Sequence, residues 1–140
     1  MTFQLTEPIL VIGLGGVGTR LAEKTKKSLN SDCLMISHDQ NDITAENSIK
    51  ISTKSVVNPS THLIRGSTLE TSDEIKKNIT NYSTIILMSN LAGKAGTGIG
   101  PIVSKICKQE QKNLLSFAVM PFKFEKERIF QSGIALKRIR

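Results

Sequence analysis

Two short stretches of this chain carry more glycine than a turn requires. The first is VIGLGGVGTR, Val11 to Arg20, in which Gly13, Gly15 and Gly18 fit G-x-G-x-x-G. The second is AGKAGTG, Ala92 to Gly98, which follows an apolar run. Residues without Cβ let backbone N–H groups approach a phosphate, and a helix starting there adds partial positive charge. The chemistry open to these stretches is therefore anion binding, with Thr97 able to donate a hydroxyl hydrogen bond. The second stretch is not a Walker A loop. Counting on from Gly93, positions 99 and 100 should hold Lys and Ser or Thr, and they hold Ile99 and Gly100. Lys94 is therefore not a P-loop lysine. Two small-residue loops facing one another predict a polyphosphate gripped from two sides. The competing reading of each loop is close helix–strand packing with no ligand.

Other chemistries find less support. Asp39 follows the second apolar run, where a dinucleotide-binding protein keeps its ribose-binding acid, so a Rossmann dinucleotide reading stands beside the first. His38 and His62 have no Cys, His or carboxylate partners at metal-ligand spacing, although Asp39 and Asp42 lie near His38. No G-x-S-x-G nucleophile elbow occurs. Cys33 and Cys107 lie far apart inside apolar segments and read as buried, reduced thiols, which fits a cytoplasmic protein.

The elements that must position these loops follow from the pattern. Buried strands are predicted at Ile9–Leu14, Cys33–Ile36, Thr84–Met88 and Leu114–Met120, with a short edge strand at Ile49–Ile51. Helices are predicted over Val17–Leu29, from Thr71 to near Tyr82 with Glu74 in capping-box spacing, and over Gly98–Gln111. Residues 53–67, with Asn58-Pro59 and Arg65-Gly66, read as a loop. A basic helix is expected after Pro121. Apolar strands alternating with helices predict an α/β fold, a three-layer Rossmann-like domain with a mainly parallel sheet of four or five strands. The strand C-terminal ends then share one edge, and both glycine loops fall there.

Composition bounds the rest. The chain of 140 residues suits one domain, with 39% hydrophobic and 22% charged residues. No apolar run approaches the ~18 residues that span a bilayer, and the first residues lack the features of a signal peptide. The net charge of +7 is concentrated at the end of the sequence. Residues 121–140 hold Lys123, Lys126, Arg128, Lys137, Arg138 and Arg140 against Glu125 and Glu127. No aromatic residues interleave with these charges as a base-stacking surface requires, so a solvated helix face is expected there rather than nucleic-acid binding.

At the second loop the sequence resembles the FtsZ/tubulin family of GTP-binding, polymer-forming proteins. The G-G-G-T-G-T-G loop of FtsZ lines up with Ala92-Gly93-Lys94-Ala95-Gly96-Thr97-Gly98. The alignment runs without a gap through IVSKICKQEQKNLLSFAVM to PFKFE, which resembles the P-F-N/K-F-E of FtsZ. VIGLGGVGTR resembles the family's first loop, and Asn58-Pro59 resembles the N-P of its γ-phosphate loop. The resemblance covers essentially the whole chain and is most specific at the second loop and PFKFE.

It implies a guanine-nucleotide-binding domain over residues 1–140, with GTP or GDP as ligand and Mg2+ accompanying GTP. It implies cell-division or cytoskeletal relatives, and self-association or an FtsZ-like partner. The implied binding residues are Gly15, Gly16, Gly18, Asp39, Ala92, Gly93, Gly96, Thr97 and Gly98, with Glu125 on the ribose and Arg128 nearby if one residue is deleted after Glu125. Arg20, Lys94 and Ala95 are candidate binding positions as well, although each departs from the family: Arg20 replaces an asparagine, Lys94 a glycine and Ala95 a threonine. The family's central helix, acidic synergy loop and second domain have no counterpart in these 140 residues. The expectation is GTP binding without hydrolysis by this chain alone, and no residue is assigned a catalytic role. Two alternatives stay open: a Rossmann-type dinucleotide or adenylate binder, and an FtsZ-like interaction module that has lost its nucleotide.

Overall fold

The computed structural model describes residues 6–29, 31–43, 47–53, 59–91 and 93–119. Five strands form one sheet: β1 (Ile9–Leu14), β2 (Asp32–Ser37), β3 (Ser48–Lys50), β4 (Thr84–Asn90) and β5 (Asn113–Val119). Their order across the sheet is β3-β2-β1-β4-β5, and every pairing is parallel. The helices are α1 (Gly15–Leu29), α2 (Thr61–Glu70), α3 (Ser72–Ile79) and α4 (Lys94–Gln109), with a single 3-10 turn at Gln40–Asp42.

The apolar runs are continuous because each strand buries both faces. Leu10, Ile12, Leu34, Ile36, Ile85 and Leu87 point to one side, where Ile64 of α2, Ile75 and Ile79 of α3, and Ile99, Val103 and Ile106 of α4 cover them. Val11, Cys33, Met35, Ile86 and Met88 point to the other, where Ala22 and Leu21 of α1 pack. The sheet between these two helical layers makes the three-layer α/β architecture that the sequence predicts. The expected edge strand is indeed an edge, β3. The other outer strand, β5, is less covered than expected: Phe117 and Val119 are 50% and 43% exposed among the described residues.

Helix boundaries differ from expectation in instructive ways. Residues 53–67 read as a loop, yet α2 begins at Thr61, where the Ser60 side chain caps the Leu63 N–H at 3.3 Å. The Gly66 that suggested a turn faces open space inside α2. Glycine in an exposed helix interior costs only about 1 kcal/mol, which packing of Ile64 offsets. The capping box at Thr71 does not form: the Thr71 hydroxyl donates instead to Ser67 O at 2.8 Å, and its side chain does not cap α3. That helix stops at Ile79, short of Tyr82.

Both glycine stretches were expected to be loops feeding helices. They are instead the first turns of those helices. α1 starts at Gly15 and α4 at Lys94, so Gly16, Gly18, Gly96 and Gly98 are helical. The basic helix expected after Pro121 lies outside the described residues.

Candidate functional site

β1 and β4 are neighbours, so the helices that follow them start side by side at the C-terminal edge of the sheet. The contact is direct. Gly15 adopts φ +70°, and a Cβ there would lie 2.8 Å from the Ala95 Cβ. Only glycine adopts this backbone freely while admitting Ala95 so close. The two N-termini open onto a cleft of about 230 Å3 lined by Gly15, Gly16, Val17, Arg20, His38, Asp42, Asn90, Gly93, Lys94, Ala95 and Gly96, with Leu14 below. Sites for whole small-molecule ligands run roughly 300–1,000 Å3, so the described cleft suits a phosphate chain rather than a complete nucleotide.

Its electrostatics are one-sided. Neither α1 nor α4 has an acidic residue in its first turn. The α4 N-cap is Gly93, which offers no side-chain cap. The first N–H groups of any helix lack partners within it and carry about half a positive charge in total. Arg20 and Lys94 add two full charges. A lysine at a helix N-terminus is on the unfavourable end of the dipole. The carboxylate lining the cleft among the described residues is Asp42, whose Oδ2 accepts from Ser37 Oγ at 2.7 Å. Lys94 Nζ donates to the carbonyl of Pro59 at 3.0 Å and so ties α4 to the segment preceding α2. Nδ1 of His38, a half-buried residue, is itself buried and has no hydrogen-bond partner among the described residues.

The residues expected to bind divide into two groups. Gly15, Gly16, Arg20, Gly93, Lys94, Ala95 and Gly96 all line the cleft. Gly96, however, also backs onto β4. A Cβ there would overlap the carbonyl oxygen of Asn90 and lie 2.7 Å from its carbon. The space beside Gly96 is thus filled by the protein's own backbone. Gly18 and Gly98 pack in the same way, against Met88 O and the Ile64 side chain. Thr97 is buried, and its hydroxyl donates to Gly93 O at 3.1 Å and Lys94 O at 3.2 Å. The hydroxyl that the sequence offers as a donor thus bonds its own helix in this structure. Asp39 is exposed, with Oδ1 accepting from the Asn41 N–H, and it does not line the cleft. Ala92, Glu125 and Arg128 lie outside the described residues.

Asp42 and His38 line the cleft and were not singled out as binding residues from the sequence. The signal was present in part: both sit close to Asp39 after β2. The 3-10 turn at Gln40–Asp42 decides which carboxylate faces Gly16, and a polar stretch does not announce such a turn.

Elsewhere the ionisable groups have structural roles. Burial pushes the Cys107 thiol up to about 12 and raises that of Cys33 as well. Tyr82 Oη donates to Asp32 Oδ2 at 2.6 Å on the opposite edge of the sheet, which raises the phenol to about 12. No helix among the described residues is long and apolar enough to cross a membrane.

Comparison with known proteins agrees with this geometry. The family model described as Tubulin/FtsZ family, GTPase domain, matches residues 60–140, more than half of the chain. No curated protein matches the sequence. Among solved structures, an FtsZ dimer from M. jannaschii superposes with a TM-score of 0.78 at 21% identity, over 98% of this chain and 42% of that one. CetZ from Methanosaeta thermophila gives 0.71 at 18% identity, over 97% and 42%. A TubZ protofilament subunit from Bacteriophage PhiKZ gives 0.70 at 19% identity, over 93% and 43%. The chain therefore spans less than half the length of the structures it resembles. A parallel five-stranded sheet, paired helix N-termini at one edge and the sequence of residues 60–140 agree: this chain belongs to the tubulin/FtsZ family and carries part of its GTPase domain.

Proposed function

We propose that the chain binds a guanine nucleotide, GTP or GDP, with its phosphates in the cleft between the starts of α1 and α4. The observation that carries this reading is the convergence of two helix N-termini with no acidic residue in either first turn. This arrangement juxtaposes two dipole ends and two cationic side chains against the single carboxylate of Asp42 among the described lining residues. Phosphate oxygens relieve that repulsion. Backbone N–H groups near Gly15, Gly16 and Gly93 hold the phosphates, and Arg20 and Lys94 stand at the rim. Family membership supports guanine as the base, with Mg2+ accompanying the triphosphate. Glu125 and Arg128 are the proposed ribose-side residues.

Binding without turnover by these 140 residues alone is part of the proposal. Relatives form a dimer and a protofilament, by their titles. Self-association or an FtsZ-like partner, in the cytoplasm, is the corresponding proposal here.

Titration calorimetry of the purified chain with GTP, GDP, ATP and NAD, each with magnesium, tests the reading. Guanine nucleotides should bind in preference to the others. Preference for NAD would instead move the site to the first glycine run and Asp39. A well-folded chain that binds none of the four would overturn the reading in favour of an interaction module.

A further inference from the structure

We infer that Asp42 is an internal competitor for the phosphates: its carboxylate takes up part of the positive field at the start of α1 and so sets how tightly this cleft holds an anion. This rests on the proposed nucleotide binding and adds a residue that the family resemblance does not supply, since the acid implied there is Asp39.

Gly16 lies in the first turn of α1, and a Cβ there would sit 2.9 Å from Asp42 Oδ1 and 3.8 Å from Arg20 Nη2. The carboxylate and the guanidinium therefore face the same side of that turn. α1 has no acidic residue of its own in its first turn. A carboxylate near a helix N-terminus is favourable, and Asp42 supplies one across the cleft from the 3-10 turn. The side chain is also fastened. Ser37, fully buried at the end of β2, donates its Oγ to Asp42 Oδ2 at 2.7 Å and accepts the Asp39 N–H at 3.1 Å. The Asp42 N–H donates to Asp39 O at 3.1 Å. This fastening uses Oδ2 and turns Oδ1 towards Gly16.

A phosphate held by the N–H groups near Gly15 and Gly16 comes close to that oxygen. Like charges at short range repel, and the half-buried position of Asp42 weakens screening by water and salt. The phosphate must bind against the carboxylate or pull it from Ser37. Asp42 thus acts with opposite sign in two states. It steadies the start of α1 in the chain alone, and it weakens the nucleotide complex.

The test measures GDP affinity by titration calorimetry for the unmodified chain, Asp42→Asn and Asp42→Glu. Low salt and EDTA are used, so that no metal bridges the two anions. Asparagine keeps the shape and can still accept from Ser37, but it carries no charge. Asp42→Asn should bind GDP about tenfold or more tightly, and the gain should shrink as salt is raised. Without nucleotide the same variant should melt lower than the unmodified chain, because the start of α1 loses its anion. Asp42→Glu keeps the charge and should show no gain in affinity. If Asp42 is only a structural residue, its replacement lowers the melt and leaves GDP affinity equal or weaker, and that result overturns the inference. If neither the unmodified chain nor Asp42→Asn binds GDP, the underlying nucleotide reading falls, which is a different result. Should Asp42→Asn fail to fold, Asp42→Ser also removes the charge and decides in the same way.

Discussion

The start of α1 and the start of α4 are built from the same residue type and solve different problems. At α1 the glycines face outward as well as inward: Gly15 takes a positive φ beside Ala95, and Gly16 faces Asp42. At α4 the glycines after Gly93 face mostly into the protein, against Asn90 and Ile64. A glycine-rich stretch at a phosphate-binding edge is therefore a mixture. Some residues keep space for a ligand, and others let a helix lie close on its strand. Which is which depends on the backbone opposite, and no sequence motif records that.

The sharpest way to break this comparison is to make one change three residues apart. Gly96→Ala puts a Cβ into the Asn90 carbonyl. We expect a large fall in melting temperature, from a cost above about 4 kcal/mol against a total stability of roughly 5–15. Gly96→Val, a natural choice for blocking a phosphate site, should fail earlier, at folding. A Gly96→Ala protein that melts where the unmodified chain does would show that α4 is not seated on β4 as described.

The core provides the next largest effect. Ile12 is fully buried between α-helical layers at the centre of the sheet. Ile12→Ala should cost about 2–5 kcal/mol in a denaturant titration, without regard to ligand.

Gly93→Ala is the counterpart to Gly96→Ala. Its Cβ would sit 3.5 Å from Asn90 O, an ordinary contact. Stability should fall by no more than about 1 kcal/mol, the difference between Gly and Ala at an N-cap. Guanine-nucleotide affinity should fall more, because the methyl group enters the cleft. Equal melts and equal affinities would remove Gly93 from the site.

The smallest effects belong to groups remote from the cleft. Folding raises the Cys107 thiol from its ordinary 9.0 to about 12, and the Tyr82 phenol from 10.0 to about 12. In both cases the folded state holds the proton more tightly. The stability they contribute is complete below pH 9 and pH 10 respectively, and it is lost as pH rises towards 12. Denaturation midpoints measured from pH 8 to 12 should decline across that window. Cys107 should resist thiol reagents at neutral pH in the native chain and react once it is unfolded.

Most of the architecture could be read from the sequence, because buried parallel strands advertise themselves as short apolar runs. Ile9–Leu14 and Thr84–Met88 needed no further information than that. Family membership was legible from the order of motifs, above all AGKAGTG. The start of α2 was not, since Asn58-Pro59 and Gly66 carry turn chemistry that the Ser60 cap and the burial of Ile64 override. The direction of Thr97 was also hidden. A threonine in the first turn of a helix can donate to a ligand or back to its own carbonyls, and only the helix start at Lys94 decides. Asp39 and Asp42 differ by one 3-10 turn, too short to leave a periodic trace.

Tyr82 gives the molecule a built-in optical reporter. It is the single tyrosine of a chain without tryptophan, and its phenol is held on a carboxylate at the start of β2. Excited at wavelengths that phenylalanine does not absorb, intrinsic fluorescence therefore comes from one ring, and its emission should brighten when unfolding carries it away from Asp32. The reporter sits on the edge of the sheet opposite the cleft, so it follows the integrity of the scaffold with no label added and no direct contact with whatever the cleft holds.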